Sequence, residues 1–97
     1  LFCATGNLPE MPLFEQASAY GSIMPAAWSF MLAARSRGLG TCWTSVHLKE
    51  SQKVADVLNL PDNLTQAVLM PVAYYSGAGF REASRLPLDE VLHWNGW

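Results

Sequence analysis

Residues 22–38 read SIMPAAWSFMLAARSRG and residues 39–46 read LGTCWTSV, and these two stretches decide the fold. The opening serine can cap a helix, the proline after it suits a first turn, and the last glycine is a typical left-handed terminator. The run between them is apolar on all sides, which is typical of a buried helix. We therefore predict a buried helix over residues 22–37 and a short strand or extended turn over residues 39–46. About 16 residues span only about 24 Å as a helix, which is too short for a bilayer.

Weaker sequence patterns predict the elements in the rest of the chain. Residues 1–21 have no sustained period, so we predict an irregular lead-in with a short helical turn around 13–19. One apolar face predicts a second helix over 50–60. Residues 64–75 are apolar on both faces, which predicts the central strand of a sheet, with Pro71 interrupting its ladder.

The last part of the chain is predicted to be a loop followed by a tail. Residues 76–87 contain glycines and two arginines and have no apolar period. Residues 87–97 form a short helical or extended tail with several large apolar side chains. We see no internal repeat, low-complexity segment or linker, so the 97 residues are one small domain or part of one.

The composition is unusually poor in charge. Charged residues make up 14% of the chain and hydrophobic residues 51%, whereas a soluble domain carries roughly 25% charged residues. The net charge of −2 excludes the basic footprint of a nucleic-acid-binding protein. A chain this short exposes much of its surface, and with so few charges much of that surface would be apolar. We therefore expect it to be buried against more polypeptide or against a partner subunit. No signal segment is recognised, and two separate cysteines favour a reducing, cytoplasmic compartment.

Three groups of residues are candidates for binding. The segment after the first helix offers Trp43, Thr44 and Ser45, which suit a flat heteroaromatic ligand, although a helix cap followed by a buried strand is the simpler interpretation. Arg81 and Arg85 lie in a loop, where arginine either grips a phosphate or is merely solvated. The tail carries two tryptophans that pack either on their own fold or at a subunit interface.

Catalytic and metal-binding patterns are not found in the sequence. His47 and His93 lie far apart with no carboxylate at ligand spacing, so no metal site is predicted. Cys42 lies in an apolar segment, where a thiol is usually inert. No serine lies in the glycine-flanked turn that presents a nucleophilic serine. We predict no acid–base or nucleophilic residue.

The order of these segments resembles the C-terminal half of the nitroreductase family. The resemblance rests on SIMPAAWSFMLAARSRGLGTCWTS, a helix ending in LNLP, the strand QAVLMPVAYY and the closing SRLPLDEVLHWNGW. It implies an α+β fold in which a mostly antiparallel central sheet is flanked by helices and two subunits intertwine as a homodimer. It also implies FMN held non-covalently between the subunits.

The resemblance assigns roles to particular residues. Trp43, Thr44 and Ser45 would line the flavin ring, and Arg85 would bind the FMN phosphate. The tail over 87–97 would reach across the partner subunit. Two departures stand out: the family's N-terminal half has no counterpart in this sequence, and Ala83 stands where some relatives carry a second basic residue.

The expected function is that of an FMN-dependent oxidoreductase. It would transfer hydride from NAD(P)H through the flavin to a nitro compound, quinone or similar acceptor. Since the cofactor carries that chemistry, the lack of a catalytic dyad agrees with it. The alternative is a truncated or degenerate family member that folds and dimerises without flavin and is no enzyme.

Overall fold

A long helix and a small set of antiparallel strands make up this computed structural model, which describes residues 1–77 and 80–97. The strands are β1 (Phe2–Thr5), β2 (Leu39–Thr41), β3 (Leu64–Val68) and β4 (Val72–Tyr74). The α-helices are α1 (Leu13–Arg35) and α2 (Ser51–Leu58). Short 3₁₀ helices occupy Leu8–Glu10, Val46–Glu50 and Leu88–Glu90. The α+β class and the antiparallel pairing agree with the sequence prediction.

Helix α1 begins at Leu13, nine residues before the predicted start at Ser22. The carbonyl of Pro12 accepts hydrogen bonds from the N–H groups of Glu15 (3.0 Å) and Gln16 (3.1 Å), which starts the helix without a serine cap. Pro25 therefore lies inside the helix rather than in its first turn. The predicted irregular lead-in over 1–21 is wrong, because Phe2–Thr5 form β1 and the helical turn expected around 13–19 is the start of the long helix α1.

The predicted central strand over 64–75 is divided at Pro71, which has no N–H to donate. Before the proline, β3 pairs with β1, so that Cys3 lies opposite Gln66 and Thr5 opposite Leu64. After it, β4 pairs with β2. The described residues thus form two two-stranded antiparallel ladders in place of one central sheet, joined by a bridge between Thr44 and Leu69.

The core lies where one face of α1 packs on β3. Ala27 of the helix is fully buried against Ala67 and Val68. The half-buried helix residues that pack around this cluster recur at helical spacing: Tyr20, Ile23, Met24 and Met31. The prediction that the helix is buried on every face is wrong for the described chain. Trp28 and Leu32, on another face, are each 56% exposed.

The other predicted segments differ from the structure mainly in their bounds. The helix expected over 50–60 is α2, preceded by a 3₁₀ turn and ended by Asn59 in the left-handed conformation. The tail over 87–97 has only one 3₁₀ turn and is exposed throughout. None of the helices in the described ranges has both the length and the apolar character needed to cross a membrane.

The chain exposes more surface than its mass predicts. Its accessible area is 7762 Å², whereas a compact monomer of 10.7 kDa exposes roughly 5,500 Å². The radius of gyration is 16.9 Å, compared with about 12.5 Å for a compact domain of this length. Much of the excess is apolar, since large hydrophobic side chains of α1, the 76–87 loop and the tail are exposed.

Candidate functional site

The segment that carries Trp43, Thr44 and Ser45 follows β2 and lies along residues 69–71, at the point where the predicted strand is divided. Gly38, with a φ of 75°, ends the helical turn and directs the chain into β2. Leu39 lies opposite Tyr74 and Thr41 opposite Val72. The pairing then continues past Pro71, whose carbonyl accepts the N–H of Cys42 at 3.3 Å.

Thr44 is fixed through its backbone. Its N–H donates to the carbonyl of Leu69 and its carbonyl accepts the N–H of Leu69, both at 3.0 Å. Its Oγ1 accepts the N–H of Val46 at 3.4 Å, and its hydroxyl proton has no acceptor among the described residues. The backbone groups of Thr44 are therefore occupied, and only its side chain can contact a ligand.

Trp43 and Ser45, on either side of Thr44, are accessible. The Trp43 side chain is 38% exposed. Ser45 is exposed and precedes the 3₁₀ helix Val46–Glu50, but its hydroxyl makes no capping hydrogen bond there. An indole beside two hydroxyls that can still donate offers an apolar surface with polar groups at its edge, which suits a flat heteroaromatic ring.

Arg85 lies in a different part of the chain, and no hydrogen bond joins it to Trp43, Thr44 or Ser45. It is exposed, and its Nη1 donates to the carbonyl of Ser84 at 3.1 Å. In the described chain it has no carboxylate partner within ion-pair distance, so its guanidinium can take an anion. Arg81 is also exposed.

Two cavities lie near these segments, although neither is lined by any of the four predicted site residues. The larger, of about 600 Å³, lies between α2, β3 and the N-terminal segment, and its lining mixes apolar residues with polar ones such as Tyr20, Gln52 and Thr65. The smaller, of about 310 Å³, lies beside β2 and is mostly apolar, with Trp28, Leu39 and Phe80 in its wall.

Arg35, Tyr75 and Phe80 form a cluster at the rim of the smaller cavity that was not predicted from the sequence. The guanidinium carbon of Arg35 lies 5.2 Å from the ring centre of Tyr75 and 4.8 Å from that of Phe80. Forty residues separate the cation from its first ring, so no local spacing in the sequence marks the contact. The only available signal was a cation near the end of the helix, which also suits the helix dipole.

The two cysteines of the chain, Cys3 and Cys42, are free thiols. The pKa of Cys3 is raised because burial disfavours its thiolate. Across the described ranges, no three histidine, cysteine or acidic residues come close enough together to hold a metal ion. Cys42 is a free, exposed thiol next to Trp43.

The geometry of these residues does not by itself identify a protein family, but a comparison with known families does. The model described as "Nitroreductase family" matches residues 12–74, which is more than half of the 97 residues. The match includes α1, Trp43, Thr44 and Ser45, and it ends before Arg85. Comparison with curated proteins and with solved structures gave no significant match. The chain belongs to the nitroreductase family.

Proposed function

We propose that this chain belongs to an FMN-dependent oxidoreductase that uses NAD(P)H to reduce a nitro compound, quinone or similar acceptor, and that it acts as a homodimer. The observation that carries the proposal is the family match over residues 12–74, since nitroreductases are flavin oxidoreductases. When bound, FMN would supply the hydride chemistry, so the protein's own task is to bind and orient.

The residues of the proposed site fit FMN by the kind of groups that they offer. Trp43 would pack against the flavin ring. The hydroxyls of Thr44 and Ser45, which have no acceptor of their own among the described residues, would donate to polar atoms at the ring edge. Arg85 would bind the phosphate through its planar pair of N–H donors.

The homodimer is supported by the excess surface. The chain exposes about 2,300 Å² more than a compact monomer of its mass. Obligate dimers bury roughly 1,000–2,500 Å² on each subunit, so one such interface would account for the difference. Trp28 and Leu32 on the outer face of α1, together with Trp94 and Trp97 in the tail, are the proposed contact residues.

Absorbance tests the flavin part of the proposal. The purified chain, as isolated and after incubation with FMN and gel filtration, should retain an absorbance band at about 450 nm, a property of the cofactor. NADH and NADPH, added separately without oxygen, should bleach that band. A protein that folds and dimerises but stays colourless at saturating FMN would contradict the proposal and would favour the flavin-free alternative.

A further inference from the structure

The loop after β4 is attached to the end of α1 through stacked side chains. The rings of Tyr75 and Phe80 lie 5.0 Å apart with 39° between their planes. The guanidinium of Arg35 lies over both, within the distance at which a cation is attracted to an aromatic face. Arg35 has no acidic partner within ion-pair distance in the described chain.

Gly40 makes room for this cluster. A Cβ at Gly40 would lie 3.1 Å from Cδ1 of Tyr75, which is tighter than an ordinary van der Waals contact. Tyr75 can therefore lie against β2, where it supports Phe80. Phe80 and Arg35 in turn border the cavity of about 310 Å³ beside β2.

We propose that Arg35 is a positioning residue for Arg85, and this rests on the proposed role of Arg85 at the FMN phosphate. Arg85 lies ten residues after Tyr75 and five residues after Phe80 in the sequence. Holding Phe80 on Arg35 therefore halves the number of residues between the last attached ring and Arg85, which reduces the conformational entropy lost when that guanidinium is fixed on an anion. Arg35 acts through the rings and touches no ligand itself.

Limited proteolysis tests the attachment without flavin. An endoproteinase that cleaves after glutamate has a site at Glu82, two residues beyond Phe80, and a reference site at Glu50. Arg35→Met removes the cation and replaces it with an unbranched apolar side chain that also favours a helix. Cleavage after Glu82 should become about two- to fivefold faster, as expected from losing an exposed cation–π contact, while cleavage after Glu50 stays unchanged.

Two further variants keep this test decisive. Arg37→Met is the matched control, because the guanidinium of Arg37 donates to the carbonyl of Ala33 and contacts neither ring, so cleavage after Glu82 should stay as in the parent. Phe80→Leu removes one ring without altering α1 and should reproduce the effect of Arg35→Met. Equal cleavage after Glu82 in the parent, Arg35→Met and Phe80→Leu would overturn the attachment.

FMN titration tests the consequence for Arg85. Arg35→Met should raise the Kd about two- to fivefold, Arg35→Lys should raise it less, and Arg35→Met should have no effect in an Arg85→Ala background. An equal effect in both backgrounds would show that Arg35 does not act through Arg85 and would overturn the positioning role. A parent that binds no FMN would instead refute the proposed function, and the proteolysis result would still stand by itself.

Discussion

Arg85 is the residue on which the proposed phosphate site depends. It is exposed and has no acidic partner among the residues described, so its guanidinium carries no structural role that a substitution would disturb. We expect Arg85→Ala to weaken FMN binding by about 1.5–3 kcal/mol, the range for a hydrogen bond to a charged group, and to leave the unfolding free energy unchanged. Fluorescence titration of FMN measures the change. Arg37→Ala is the control, and an unchanged Kd in Arg85→Ala would remove this residue from the site.

The thiol of Cys3 provides a pH-dependent prediction. Burial raises its pKa in the folded chain. Above the ordinary thiol pKa of about 8.5, the unfolded chain has lost a proton that the folded chain still holds, so the free energy of unfolding should fall as pH rises. Urea unfolding at pH 7.0, 8.5 and 9.5 measures this fall. It should be smaller in Cys3→Ala than in the parent and unchanged in Cys42→Ala, and a slope in Cys3→Ala equal to that of the parent would contradict the prediction.

Local patterns in the sequence predicted helix α2, the end of α1 and the interruption at Pro71, because caps, apolar faces and a missing N–H act within a few residues. They did not predict β1, and they predicted only a short helical turn around 13–19 where the first nine residues of α1 lie. Strand β1 is defined by its pairing with β3, about sixty residues later. The start of α1 is stabilised by packing of Tyr20 and Ile23 on the core, which outweighs the helix-breaking tendency of Gly21.

Two glycines of the α1 region should respond oppositely to substitution. A Cβ at either Gly21 or Gly38 would meet nothing within 4 Å, so backbone conformation alone decides the outcome. Gly38 has a φ of 75°, and Gly38→Ala should cost about 1–2 kcal/mol. Gly21 is helical, and Gly21→Ala should add about 0.5–1 kcal/mol. Urea unfolding followed by circular dichroism measures both, and changes of the same sign would contradict this account.

At the scale of the whole molecule, the sequence located the proposed site only as separate segments. Trp43, Thr44 and Ser45 could be predicted together because they are consecutive and follow a recognisable helix end. Thr44 is held by backbone hydrogen bonds to Leu69, and Phe80 in the loop before Arg85 contacts Arg35. Neither contact leaves a spacing signal in the sequence. The low charge did predict the large exposed apolar surface, since side chains that are apolar and too numerous for a small core must lie outside it.

The face of α1 that exposes Trp28 and Leu32 is the main helical part of the proposed subunit interface. If the outer face of α1 is a subunit interface, Leu32→Asp places a charge there twice in each dimer and removes two buried leucines, each worth about 1.5–3 kcal/mol. The dimer Kd should rise at least about a hundredfold in sedimentation equilibrium. Val57→Asp is the matched control, because Val57 is equally apolar and 79% exposed but lies on α2, outside the proposed interface. A folded parent that sediments as a monomer, or a Leu32→Asp dimer as tight as the parent, would show that this face is covered in some other way.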